Sequence, residues 1–297
     1  MQANVNARIH RQMNHSLFTG IVLDLDNHAT ATLLTTEAAV KGMWPIERLS
    51  LSPNMVLPSR GPNGGLGKRE QSEHGCRSAY GRKTRLRGKA KSNRTKGASS
   101  VPHRMMQIDQ LHNQGITGKG SRIAIIDTGV DYEHPALGGC FGPGCPVSFG
   151  ADLVHNEPTP MDCFGHGTFI AGLIAAQNND IGLVGAAPGA ELGMYRISID
   201  GRLTTTDIMI AAIYRAYDDG ATIISSSFGM FGLGWADTPI AEAASRVTSR
   251  GVVYVQAAGN DGEQGAFTTL DPAGSPDVIS VGSISSTTYR PISGGPS

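Results

Sequence analysis

The chain has 297 residues, 25 basic and 25 acidic side chains, 39% hydrophobic residues and 6% aromatic ones. That length can bury a large core, and no run approaches the roughly 18 apolar residues of a membrane span, so composition excludes a chain that crosses a bilayer as an apolar helix. The balanced charge conceals an asymmetry, because residues 60–104 hold 13 Lys and Arg against 2 acidic residues, whereas residues 105–297 hold 8 against 19.

Residues 1–57 read as a small α/β unit. Met1 to Gly20 is polar and lacks the apolar core of a secretion signal. Phe18 to Leu25 alternates as a strand does, Thr30 to Val40 suits a helix, and Val40 to Ile46 suits a second strand ending near Pro45. So few elements make a marginal core, and the unit needs a partner surface. Residues 58–104 are rich in Gly, Pro, Lys and Arg and read as a linker. A solvated linker is favoured over a nucleic-acid site, since Tyr80 is the one aromatic residue interleaved with the basic run. Residues 105–297 then alternate strands with helices. Met106 to Gln114 is a short helix, and Ile123 to Ile126 is an unbroken apolar run that suits a strand buried on both faces. Asp131 to Asp152 reads as a surface loop. Gly167 to Gln177 is a helix with Phe169, Ile170, Leu173 and Ile174 at helical spacing, and with Gly172 allowing a close approach to the sheet. Ala190 to Ile197 is a strand, Thr204 to Asp219 a helix, Ala221 to Ser225 a strand and Thr238 to Arg250 a helix. Strands at Val252 to Ala258 and Asp277 to Val281 complete a doubly wound parallel α/β sheet.

In such sheets, chemistry sits beyond the carboxyl ends of the strands. Asp127 stands there, either capping a turn or serving as a reactive carboxylate. Gly165-His166-Gly167-Thr168 opens a helix, and Ala258-Gly259-Asn260 ends a strand with an amide donor. Each has an ordinary structural reading by itself. Together, a carboxylate, an imidazole and an amide donor suit a hydrolase in which an acid orients a general base and an amide stabilises an oxyanion.

Ile125-Ile126-Asp127-Thr128-Gly129-Val130-Asp131, Gly165-His166-Gly167-Thr168 and Ala257-Ala258-Gly259-Asn260 resemble the Asp, His and oxyanion-Asn motifs of the subtilases. Val184 to Ala190 is similar to a family turn, and the loop Gly138 to Cys145 resembles secreted members of the minor extracellular protease type. The resemblance runs from about Met105 to Ile284. It implies serine endopeptidase chemistry, with Asp127 and His166 as two of three triad members and Asn260 in the oxyanion hole. It further implies that Ser227-Phe228-Gly229 pairs with an extended polypeptide substrate. Residues 16–51 weakly resemble the end of an inhibitory propeptide, which makes the chain's own propeptide a second partner. Extracellular location and calcium as a candidate cofactor come with the resemblance, with no metal site assigned. Phe169 stands where the family usually has His, and no Gly-Thr-Ser nucleophile motif occurs, so the expectation is a truncated subtilase without turnover. Cys140 and Cys145 are close enough for a small disulfide in an oxidising compartment.

Three other readings compete. Asp127-Thr128-Gly129 also fits an aspartic protease, but that class needs a second such carboxylate and leaves His166 unexplained. A peptide-binding pseudoprotease would explain the missing nucleophile. Zinc held by His134, Cys140 and Cys145 lacks a fourth ligand at suitable spacing.

Overall fold

The computed structural model describes residues 7–25, 28–35, 38–50, 101–177, 183–198, 203–229, 237–266 and 268–284. The basic run expected to be a linker therefore lies outside the described residues, except that 101–104 begin a helix.

The central element is β4 (Arg122–Asp127), flanked by β6 (Glu191–Arg196) and β8 (Ile223–Ser226). Beyond β6 lies β5 (Val147–Asp152); beyond β8 lie β9 (Val253–Ala257) and β10 (Ile279–Val281). All five pairings are parallel, so the six-stranded order is β10-β9-β8-β4-β6-β5. Successive side chains of a strand point to opposite faces, which divides the apolar run of β4 between two cores. Ala124 and Ile126 join one with helices α5 (Thr206–Asp218) and α6 (Pro239–Thr248), whereas Ile123 and Ile125 join the other with α4 (His166–Ala175). Each buried Ile in that run contributes on the order of 1.5–3 kcal/mol. The chain fills one side of β4 with β5 and β6 and then turns to the other side with β8, β9 and β10. The carboxyl ends of β4 and β8 therefore flank a topological switch point, where such sheets place their sites.

Several expectations need correction. Strand β5 lies inside the stretch expected to be a loop, where it follows the Gly- and Pro-rich run 138–146 and is itself interrupted by Gly150; its register against β6 is irregular between Val147 and Phe149. The exposed residues of α4 include Phe169 at 57% and Leu173 at 40%, and its buried face is made by Ala171 and Ala175. A Cβ on Gly172 would meet nothing within 4 Å, so this glycine does not approach the sheet. The helix expected over Met106 to Gln114 is present as α3 (Ile108–Asn113), and a separate short helix, α2 (Val101–Met105), precedes it.

In the N-terminal unit, β2 (Phe18–Leu25) occupies the expected place, α1 (His28–Thr35) covers only the first part of the helix expected over Thr30 to Val40, and Val40 to Ile46 is not a strand. Strand β1 (Ala7–His15) instead pairs antiparallel with β2. This hairpin lies on α5 and α6. His15 stacks on Tyr214 at 4.6 Å and bonds Asp218 at 2.8 Å, Arg11 pairs with Asp207 at 3.0 Å, and Arg246 donates to the Leu17 carbonyl at 2.7 Å. Two short strands, β3 (Arg48–Ser50) and β7 (Leu203–Thr205), pair antiparallel and place Leu49, 1% exposed, in the α5–α6 core.

Candidate active site

Strand β4 delivers Asp127 fully buried at its last position. Helix α4 begins at His166, after Gly165 turns the chain with φ of +107°. The two meet through a hydrogen bond of 2.7 Å between His166 Nδ1 and Asp127 Oδ1. The helix start comes so close that a Cβ on Gly167 would lie 2.1 Å from the Gly129 carbonyl oxygen and 3.1 Å from the Asp127 Cβ. Only glycine fits at position 167, whereas Gly165 is required by its positive φ, so the imidazole is flanked by glycines for two different reasons. Asp127 Oδ1 also accepts from the Thr128 backbone N–H at 2.7 Å.

A buried carboxylate can only accept, so His166 presents its Nδ1–H to Asp127 and keeps Nε2 as a base. Burial of the ring opposes its positive charge, but the hydrogen bond and the charge of Asp127, helped by Asp162, outweigh this and raise the pKa above 6.5. Burial pushes the Asp127 carboxyl up, and the bonds from His166 and Thr128 pull it back.

Sequence reasoning missed Asp162. Its Oδ1 accepts from the backbone N–H groups of Phe164 and Gly165, both at 2.8 Å, and from Thr128 Oγ1 at 3.1 Å. Its Oδ2 accepts from Thr168 N at 3.0 Å and Thr168 Oγ1 at 2.5 Å. Thr128 Oγ1 in turn accepts from Gly167 N at 2.9 Å, and Thr168 Oγ1 from Asp131 N at 2.8 Å. One carboxylate thus ties the loop before His166 to the first turn of α4 and to the residue after Asp127. The signal was an Asp two and three residues before backbone donors, the pattern of an Asx turn.

The other expected residues follow the neighbouring strands. Ser227, Phe228 and Gly229 follow β8, and Asn260, exposed, stands three residues past the end of β9. Phe228 is a core residue, and its carbonyl accepts from Gln256 Nε2 at 2.9 Å and from Ser226 Oγ at 3.3 Å. What this segment can offer a peptide is therefore the backbone of Ser227 and Gly229. The pairing actually formed with an extended segment lies elsewhere, where β3 lies along β7. Cys140 and Cys145 form a disulfide with Cα atoms 5.7 Å apart, and Cys163 beside the His166 loop is also disulfide-bonded. With both thiols of the 140/145 pair oxidised, the zinc reading loses its ligands, since zinc takes thiolates. The aspartic protease reading loses its ground too, because the partner of Asp127 is an imidazole.

The model of the subtilase family matches residues 118–295. The chain is 35% identical over 197 residues to subtilisin E of Bacillus subtilis (strain 168), covering 65% of this chain and 49% of the relative. It is 34% identical over 197 residues to subtilisin of Bacillus pumilus, covering 65% and 68%. It is 38% identical over 177 residues to minor extracellular protease Vpr of Bacillus subtilis (strain 168), covering 57% and 21%. The chain spans about half the length of several curated relatives it matches. With an aspartate-bound imidazole at the head of α4, a parallel sheet and a family match over more than half its length, the chain belongs to the subtilase family.

Proposed function

We propose that Asp127 and His166 form the acid–base half of a serine endopeptidase site acting on extended polypeptides. The observation that carries this reading is the 2.7 Å bond between Asp127 Oδ1 and His166 Nδ1 at the switch point of the sheet. Asp127 holds the tautomer and stabilises the imidazolium, His166 Nε2 takes the proton from a nucleophile, and the Asn260 amide donates to the oxyanion of the tetrahedral intermediate. The backbone of Ser227 and Gly229 pairs with the substrate. Residues 1–57 act as the chain's own propeptide. Their hairpin grips α5 and α6, and β3 occupies the β7 edge as a peptide would. The setting is extracellular, by likeness to the extracellular relative and in keeping with the Cys140–Cys145 disulfide.

These 297 residues contain no Gly-Thr-Ser. A second reading, a peptide-binding module without turnover, draws on that and on the strand already added at β7. One experiment separates the two. The 297-residue polypeptide alone is expected to hydrolyse no fluorogenic peptide and to bind no serine-directed phosphonate. A longer polypeptide that supplies a Gly-Thr-Ser segment is expected to gain both, and to lose turnover on Asp127→Asn or His166→Ala. Turnover that survives both substitutions would overturn the proposal.

A further inference from the structure

The acceptor pattern for an N-linked glycan, Asn-X-Ser/Thr with X other than Pro, occurs at Asn14-His15-Ser16 and at Asn93-Arg94-Thr95. The second lies outside the described residues. The first spans the end of β1 and the start of the tight turn into β2, where Asn14 and Ser16 are exposed and His15 between them is half-buried. Neighbouring residues of a strand point to opposite faces, and the two faces of this hairpin have different surroundings. Toward α5 and α6 it turns His15, stacked on Tyr214, together with Met13, Leu17 and Phe18, which pack on the core of those helices. Away from them it turns Asn14 and its cross-strand partner Thr19, then Gln12 and its partner Ile21, all exposed. A glycan on Asn14 therefore grows into solvent. The order of synthesis leaves the same residues accessible earlier. The bond that pins His15 to Asp218 spans 203 residues, so the hairpin docks only after that length of chain has followed. That interval lasts roughly 10–40 s at the usual rate of synthesis, and it leaves Asn14 and Ser16 open to a glycosyl transferase.

We infer that Asn14 is an N-glycosylation site, which takes a preassembled oligosaccharide from a lipid diphosphate carrier as the chain enters a secretory compartment. The inference rests on the reading of the setting as extracellular. In the transfer, Asn14 Nδ2 bonds to C1 of the first sugar and loses a proton. The bond from C1 to the carrier's diphosphate oxygen breaks, and the diphosphate leaves with the electron pair. The Ser16 hydroxyl completes the acceptor. The attached group is bulky and hydrated. It covers Ile21, which is 52% exposed and diagonal to Asn14 across the two strands. Because it grows from the face opposite His15, the grip of the hairpin on α5 and α6 is kept.

The test sends the full 297-residue chain into the secretory route of a eukaryotic cell behind a cleavable signal, and recovers it from the medium and the membrane lumen. Peptide-N-glycosidase in heavy-oxygen water converts each glycosylated Asn into labelled Asp, which peptide mass spectrometry locates. Label at Asn14 in most molecules is the expected result. Ser16→Ala is expected to abolish that label without changing the state of Asn93, and Ser16→Thr to keep it. The chain before and after glycan removal is expected to show the same amide protection in β1 and β2. An unlabelled Asn14, a label that survives Ser16→Ala, or a hairpin that loses protection when the glycan is present would each overturn the inference. The state of Cys140 and Cys145 in the same molecules separates this from the reading of the setting. With the pair oxidised, only the glycan site falls; with both thiols free, the extracellular reading falls as well.

Discussion

Replacing Asp162 by Asn keeps the size of the side chain and removes one acceptor. The Asp162 carboxylate accepts five hydrogen bonds, three on Oδ1 and two on Oδ2. An Asn has one acceptor oxygen, and its best placement points that oxygen at Phe164 N, Gly165 N and Thr128 Oγ1. Its NH₂ then faces Thr168. The Thr168 hydroxyl can turn its proton away, but the Thr168 backbone N–H points at another donor and is left unpaired. An unpaired buried donor costs about 1–3 kcal/mol, and the bonds that remain lose the strength lent by a charge. The expected loss is about 2–4 kcal/mol, read as the midpoint of urea unfolding at pH 7 with unchanged m-value. The damage is local to the loop that aims His166, so the imidazole Nδ1 proton in the NMR spectrum is expected to broaden or move in the variant. A loss below about 0.5 kcal/mol with an unaltered His166 signal would refute the view that this carboxylate organises the site.

Asp271, 1% exposed, is pushed up by burial from 3.8 to about 6, with the Thr238 hydrogen bond working against the rise. A carboxyl raised on folding binds its proton more tightly in the folded state, so its contribution is full below about pH 3.8 and lost as pH rises through about 6. The loss amounts to about 3 kcal/mol. Asp271→Asn should therefore gain stability relative to the parent between pH 4 and 7, and a difference flat across that range would count against it. Leu49→Asp should remove about 1.5–3 kcal/mol of burial and put a charge among apolar side chains. Faster amide exchange at Leu203 to Thr205 would report release of β3, and unchanged protection there would contradict the strand pairing.

The sequence made the framework of the site legible for a physical reason. A strand buried on both faces must be apolar throughout, so Ile123 to Ile126 stood out and placed Asp127 at its end. Glycines around His166 stood out because Gly167 touches the β4 end, where no side chain fits, and Gly165 turns the chain with φ of +107°. What escaped had no periodic signal. Strand β1 is mostly exposed and polar, so its sequence does not alternate as a half-buried strand does. Strands β3 and β7 are three residues each, and their pairing joins segments more than 150 residues apart. Asp162 accepts from three backbone N–H groups that any residue supplies and from two hydroxyls, one of them on Thr128, 34 positions earlier, so only its Asx-turn spacing could have marked it.

Asp127 holds His166 as a base, and a titration of the His166 imidazole by NMR puts that pairing to the test. The His166 imidazole is expected to titrate above the ordinary 6.5, and lower when Asp127 becomes Asn. The stabilisation from the pair should accordingly be full below pH 6.5 and disappear as pH rises through the raised value. A titration at or below 6.5, or one that Asp127→Asn leaves unmoved, would contradict it.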